Sequence, residues 1–361
     1  MLYVKGYLVE GIGKNGVNMT KILSFIVPAY NSEKYIEKCL NSFLVKECLA
    51  EIEVIIVNDG SLDRTPEIAM DFVKKYPTVF KLYSQENKGH GGAINEGVKH
   101  ISSRFFKVID ADDWIKEESL KLVLKELQCA QEDVVLLPYH TVNMKNGERC
   151  CYGINSEQAR KSCSLREIVE NWGTYSNGAT FHGMIYNTEF YRRNNCILSE
   201  KVFYEDHEFA TIPCCLADSV LVLSKISLYE YMIGNAEQSV SLENQVKRSG
   251  HMEQVINHML EFYYANNARS SFSKEYFLKK LEAFLMSYYA VLCMSDSERK
   301  KNRKKANQYL KAVFERLPEC KIRLCKKTAV LQVLSKTGIS MRHYQKIVNS
   351  AIYKKIRGYE S

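Results

Sequence analysis

From residue 22 onward, short apolar runs alternate with longer segments in which apolar side chains recur every three or four positions. Residues 22–27 (ILSFIV) read as a buried strand stopped by Pro28. Ser32 is then placed to cap a helix over 33–44, with Tyr35, Ile36, Cys39, Leu40 and Phe43 on one face. A second run, 53–57 (EVIIV), ends in Asn58-Asp59-Gly60-Ser61 and leads to a helix that starts at Thr65-Pro66 and reaches about residue 75. Residues 80–84 make a third, shorter strand. The glycine cluster Lys88-Gly89-His90-Gly91-Gly92 follows and runs into a helix over 93–101. A strand from Phe105, a helix over 117–128 and a strand over 134–138 complete the series. Strands alternating with helices at this pitch predict an α/β fold, a mainly parallel sheet with helices on both faces and right-handed crossovers.

The pattern then changes. Residues 139–154 read as a hairpin turning at Asn146-Gly147, and 180–186 (TFHGMIY) as a strand at the rim. A helix is expected from Phe203 to about 216, then strands over 220–223 and 226–232. Beyond about Val246 the apolar period is helical throughout, as in Phe277, Leu281, Phe284, Leu285, Tyr288 and Tyr289. Residues 1–18 are glycine-rich and patternless, and are expected to be a flexible extension. The organisation expected is therefore a nucleotide-binding half over 19–138, a second half over 139–242 and an α-helical C-terminal domain over 243–361.

Charge sharpens that division. Between Arg299 and Arg357 stand eighteen Lys or Arg against two Glu, so a chain of net charge +8 carries a strongly basic end on an acidic remainder. Lys300, Lys301, Arg303, Lys304 and Lys305 are followed by Tyr309, Leu310, Val313 and Phe314, a basic amphipathic face suited to an anionic membrane surface; a solvated face is the plainer alternative. No nucleic-acid motif accompanies it. No apolar run approaches the roughly 18 to 20 residues needed to span a bilayer. Twelve cysteines are scattered without a C-x-x-C, and are expected to be reduced, with the pairs Cys150-Cys151 and Cys214-Cys215 serving as small buried hydrophobes.

The chemistry concentrates at strand ends. Phe105 to Trp114 reads FFKVIDADDW, a buried strand followed by Asp110, Asp112 and Asp113. Carboxylates so close repel one another and call for a counter-charge, for which Mg²⁺ or Mn²⁺ is suited; an isolated acidic turn is the alternative. Tyr30, after Pro28 and Ala29, can stack on a flat base. Asp59 can accept hydrogen bonds from a base or a ribose, and Gly89, Gly91 and Gly92 let backbone approach an anion at a helix N-terminus. The glycine run fits neither G-x-G-x-x-G nor the P-loop pattern.

In order and spacing, SFIVPAYNSEKYIEKCLNSFL, VIIVNDGSLDRT, NKGHGGAINEGV and FFKVIDADDW closely resemble glycosyltransferase family 2, inverting enzymes of the GT-A fold. The resemblance is strong over 22–114 and continues more thinly to about 242, taking in Tyr204-Glu205-Asp206. It implies transfer of a sugar from a nucleotide sugar, usually a uridine diphosphate sugar, to a glycan or lipid-linked acceptor in the synthesis of cell-surface polysaccharide. It also implies a cytoplasmic protein docking on the inner face of the membrane. Carried onto this sequence, it implies that Pro28, Ala29, Tyr30, Asp59 and Gly89 meet the nucleotide. Asp112 binds the metal; Asp110 meets the ribose or a metal-bound water, and Asp113 follows as a further acid. Asp206 is the implied general base, with Glu205 second. His182 or His207 could complete a metal shell, though each is equally a core or surface residue. Two other readings stand beside this one: a catalytically silent nucleotide-sugar binder, and a sugar nucleotidyltransferase, whose Gly-rich, Arg-containing signature is missing after the first strand.

Overall fold

The computed structural model describes residues 21–234, 242–266, 270–295, 298–340, 343 and 346. In it the first apolar runs become four adjacent parallel strands, β1 (Leu23–Ala29), β2 (Ile52–Asn58), β3 (Phe80–Ser84) and β4 (Phe105–Val108), in the order β3-β2-β1-β4. After β5 (Trp114–Ile115), the strands β6 (Val134–Leu136), β9 (Arg160–Ser164), β10 (Met184–Asn187) and β11 (Ser219–Leu223) extend this sheet as β10-β6-β11-β9. β10 lies antiparallel between β4 and β6, and β9 antiparallel on β11. A smaller sheet of β5, β7 (Tyr139–Asn143), β8 (Arg149–Tyr152) and β12 (Tyr229–Ile233) stands beside the strand ends in the order β5-β12-β7-β8.

Side chains alternate across the large sheet. Phe25, Val27, Val54, Ile56 and Phe105 enter one core, closed by helices Ile36–Asn41, Thr65–Lys75 and Glu117–Cys129. Ile26, Ile55, Val57, Phe106 and Val108 enter the other, closed by helix Gly89–Lys99 and by the C-terminal helices. That second core is continuous with Met252, Phe277, Leu281, Phe284, Tyr288 and Leu324, each 2% exposed or less. Burying side chains of this size contributes about 1.5–3 kcal/mol apiece, so the helical segment is fastened to the α/β unit by apolar area. Hydrogen bonds fix its register: Tyr276 Oη donates to the Ala210 carbonyl at 2.9 Å, and Lys280 Nζ to the Ala179 carbonyl at 2.7 Å.

Among the described residues the helices there are Leu242–Lys247, Ser249–Ala265, Ser271–Cys293, Arg299–Arg316 and Pro318–Lys336. Ser270 caps the third by accepting from the Ser273 amide, and Pro318 opens the last at its first turn. Among the described residues no helix is long and apolar enough to cross a membrane. The expected extension over 1–18, and the last part of the basic segment over 347–361, lie outside the described residues.

Several local expectations are corrected. β1 runs through Pro28: Ala29 presents its carbonyl to Asp59 N on the β2 side, so Pro28 faces the β4 side, where the ladder has ended at Val108. Ser32 does not cap a helix through its side chain, because its hydroxyl donates to the Tyr30 carbonyl and the helix begins only at Ile36. Cys150 and Cys151 are exposed, on a strand with no buried residue, whereas Cys214 and Cys215 are buried. The stretch 180–186 enters the middle of the large sheet as β10, after a 3-10 turn at Phe181–Gly183.

Candidate active site

The turn after β4 is locked by one tyrosine. Tyr229, on β12, donates its hydroxyl to Asp113 Oδ2 at 2.6 Å and accepts from the Asp110 amide at 3.2 Å, while the Met232 amide donates to Asp113 Oδ1 at 2.7 Å. Asp113 is 1% exposed. Burial, then the charges of Asp110 and Asp112, hold its carboxyl well above the usual range. Asp112 is half-buried and is pushed up to about 6, by burial first and Asp110 second. Burial would raise Asp110 as well, but the adjoining imidazole of His90 more than offsets it and the net shift is downward.

His182 joins this group from the 3-10 turn before β10. Its ring stacks on Tyr231 with centroids 4.3 Å apart and meets the edge of Tyr229 at 4.9 Å. Burial drives its pKa down to about 4, so the imidazole is neutral at pH 7 and keeps a lone pair to offer. Its carbonyl accepts from Lys107 Nζ at 2.7 Å, the Met184 carbonyl taking a second bond at 3.1 Å. Lys107 is buried within β4, and desolvation lowers it to about 7.

Ligand atoms of Asp110, Asp113 and His182 lie within 4.8 Å of one another, which makes them a candidate divalent-cation site. The donor set fits such an ion. Two carboxylates and a neutral imidazole converge where negative charge is crowded, and each Asp113 oxygen keeps lone-pair capacity beyond its one hydrogen bond. Asp112 adjoins the set on the same turn without being a member, and His207 stands apart, its ring stacked on Phe284 at 3.8 Å.

The other wall is built by helix Gly89–Lys99. The helix expected from Ala93 begins already at Gly89, and its glycines seat it against a strap formed by residues 195–205. A Cβ on Gly91 would lie 2.3 Å from the Ser199 carbonyl oxygen and 3.0 Å from Glu205 Cγ. Asn95 exchanges two side-chain hydrogen bonds with Leu198, and the Lys201 amide donates to the Lys88 carbonyl at 2.6 Å. Asp59, 2% exposed at the end of β2, accepts from Gln85 Nε2 and from the amides of Lys88 and Gly89. Its carboxylate is thus largely occupied in holding the glycine turn. Pro28 is in β1, Ala29 is buried at its end, and Tyr30 is 49% exposed just beyond.

This packing brings His90 between the two acidic groups. Its Nε2 lies 2.8 Å from Asp110 Oδ1 and its Nδ1 2.6 Å from Glu205 Oε1. Burial would lower the imidazole, but the two carboxylates outweigh it and hold its pKa well above 6.5. Glu205 is 4% exposed; Asp206 beside it is half-buried, and its charge acts on both His182 and Lys280. Tyr204, immediately before, has φ +77° and Lys201 +57°, backbone states costing on the order of 1–3 kcal/mol each in non-glycine residues. The structure therefore links the cluster of Asp110, Asp113 and His182 to Glu205 through His90, with Asp206 adjoining. Sequence reasoning passed over His90, Lys107 and Tyr229. Only His90 left a signal, as the one titratable side chain between Lys88 and Glu96.

Comparisons with known proteins agree with this architecture. Residues 24–188 match the family described as Glycosyl transferase family 2. The uncharacterized glycosyltransferase EpsJ of Bacillus subtilis (strain 168) is 27% identical, the match covering 68% of this chain and 70% of that protein. EpsH of the same organism is 26% identical across 94% of this chain and 98% of its own length. The crystal structure of S. aureus TarS 1-349 in complex with UDP-GlcNAc superposes with a TM-score of 0.61 at 22% identity, over 93% of this chain and 91% of that one. That likeness in fold takes in the C-terminal helical region as well as the GT-A sheets.

Proposed function

The chain is a glycosyltransferase whose residues 24–188 belong to glycosyl transferase family 2, and on that premise we propose that it moves a hexose or N-acetylhexosamine from a uridine diphosphate sugar to a hydroxyl group of a glycan or lipid-linked acceptor, with inversion. The observation that supports this reading is the bridge by which His90 joins Asp110, in the aspartate turn after β4, to Glu205 beside Asp206. Tyr30 stacks on the uracil, beside the turn whose Lys88 and Gly89 amides Asp59 holds.

Asp110, Asp113 and His182 hold a divalent cation, Mn²⁺ or Mg²⁺, with Asp112 beside them. When bound there, the ion supplies counter-charge to the departing diphosphate. Asp206, half-exposed at the first turn of its short helix, takes the proton of the acceptor hydroxyl as that oxygen attacks the anomeric carbon. The new C–O bond forms on the face opposite the breaking bond to phosphate, and the bonding pair leaves with the nucleoside diphosphate. Glu205, buried on His90, is spoken for and does not compete as base. UDP release from a panel of UDP-sugars with Mn²⁺, in the presence of glycan acceptors, tests the reading; no turnover of any donor ends it.

The chain works at an anionic membrane face. Helical spacing puts Ile322, Lys326, Val330 and Val333 on one side of helix Pro318–Lys336, with the three aliphatics 79%, 59% and 62% exposed. Lys300, Lys304 and Lys311 line an open basic groove on the preceding helix, whose Leu310 and Val313, expected on a membrane face, are instead buried in the core. Flotation with anionic and neutral vesicles tests this, and absence of binding to both at low salt refutes it.

A further inference from the structure

Nothing in the reaction described above assigns a task to His90, yet no other side chain of the site is held so closely by both walls. It sits in the first turn of helix Gly89–Lys99, flanked on both sides by glycine, and each ring nitrogen faces a different carboxylate. The edge of Phe181 closes one side of the ring at 5.7 Å. Three glycines around it are where they must be for this contact to exist. Gly89 holds φ +79° with Lys201 N 3.0 Å from the place a Cβ would occupy, Gly91 leaves no room against Ser199, and a Cβ on Gly92 would lie 2.5 Å from Lys88 Cβ. Larger residues at positions 89 and 91 would push the helix off the strap and draw the imidazole away from Glu205.

We propose that His90 is a positioning residue that fastens the strap bearing Glu205 and Asp206 to the aspartate turn after β4, so that the proton-accepting carboxylate is held at the acceptor hydroxyl. The claim rests on the transferase reading above. It assigns Glu205 a structural part, as the strap's handle, and leaves the chemistry to Asp206. Strap residues Lys201 and Tyr204 are in left-handed backbone conformations, and such conformations persist only where surrounding contacts over-determine them. The bond from Glu205 to His90 is one of those contacts. The hydrogen bonds from Ser199 to Glu208 are another, at 2.7 Å from both the amide and the hydroxyl.

The test is a double-mutant cycle on the full chain, His90→Ala and Glu205→Ala, with His90→Gln as the conservative variant. The expected result is that kcat for transfer falls by about 100-fold in each single variant, the order of loss that a 1 Å misplacement of a reacting group brings. The double variant should be no slower than the singles by more than about threefold, since both remove one shared contact. The dissociation constant for UDP, measured by calorimetry, should move far less than kcat, and His90→Gln should recover part of the loss. A second measurement needs no turnover: trypsin should cut after exposed Lys201 faster in His90→Ala than in the wild-type chain, because the strap has lost its handle. Additive losses in the cycle, or an unchanged tryptic rate, overturn the inference. A wild-type chain that turns over no nucleotide sugar while His90→Ala still loosens the strap instead refutes the transfer reading and leaves the positioning role standing.

Discussion

The two sides of the candidate site, joined by His90, are made in different ways. The donor wall is a set of strand ends: β1, β2 and β4 run parallel, and their regular ladders deliver Tyr30, Asp59 and Asp110 to one edge as a direct consequence of register. The acceptor wall is a strap of irregular backbone, residues 195–205, with Asn195, Lys201 and Tyr204 all at positive φ. It has no ladder to hold it. Instead buried Glu208 grips Ser199, His258 on helix Ser249–Ala265 pairs with Glu208 at 3.0 Å, and His251 accepts from the Phe203 amide at 3.1 Å. The difference teaches that the C-terminal helices hold in place a segment that the sheet cannot.

The comparison is broken most severely where the walls touch. Gly91→Ala places a methyl group 2.3 Å from the Ser199 carbonyl oxygen. Turnover is expected to fall by about 100-fold with UDP affinity nearly intact, because the strap moves and the donor wall does not. Steady-state kinetics beside UDP titration read this out, and equal losses in both would mean that the two walls are not separable. The outer face of the helices should behave in the opposite sense: Lys326→Ala with Lys336→Ala is expected to weaken binding to anionic vesicles roughly 30-fold, at about 1 kcal/mol per lysine, with transfer in solution unaltered. Within the donor wall, Asp113→Asn is expected to raise the Mn²⁺ dissociation constant by at least about tenfold and more than Asp112→Asn does, as titration of a paramagnetic signal would report. The reverse order would return the metal to Asp112.

The smallest effect concerns pH. The hydrogen bond to Glu208 raises the His258 imidazole above the ordinary value of 6.5, burial opposing it. A folded-state value above the unfolded one means stability that is fully present below pH 6.5 and lost as pH rises through the folded value. The melting temperature of the wild-type chain should therefore decline by a small amount over that interval, and His258→Asn should flatten that part of the curve.

The same contrast explains what could be read in advance. Strands such as 53–57 and the FFKV segment before Asp110 are legible because a strand buried on both faces must be apolar at most of its positions, whatever surrounds it. The acidic clusters at 110–113 and 205–206 are legible because carboxylates crowded together need a reason. His90 was hidden by its neighbours. Glycines ordinarily mark a turn, and here they mark close approach of a helix to the strap, a tertiary fact without local trace. Lys107 alternates correctly as a strand residue, and nothing nearby in sequence reveals that it will be buried on the carbonyls of His182 and Met184. Cys150 and Cys151 carry apolar side chains on a strand that turned out to face solvent on every residue. In the strap the governing contacts come from residues about fifty positions away, His251 and His258, beyond the reach of any periodicity.

The central claim is that one carboxylate, Asp206, takes the acceptor's proton across a cleft whose other side grips the nucleotide. The most direct measurement is transfer from a UDP-sugar with Mn²⁺ by the wild-type chain and by Asp206→Asn, alongside the UDP dissociation constant of each. The account predicts turnover by the wild type, a loss of about 10²–10⁴-fold in the variant, the range that a general base supplies, and UDP binding within a few-fold of wild type. Turnover by Asp206→Asn at the wild-type rate would contradict it.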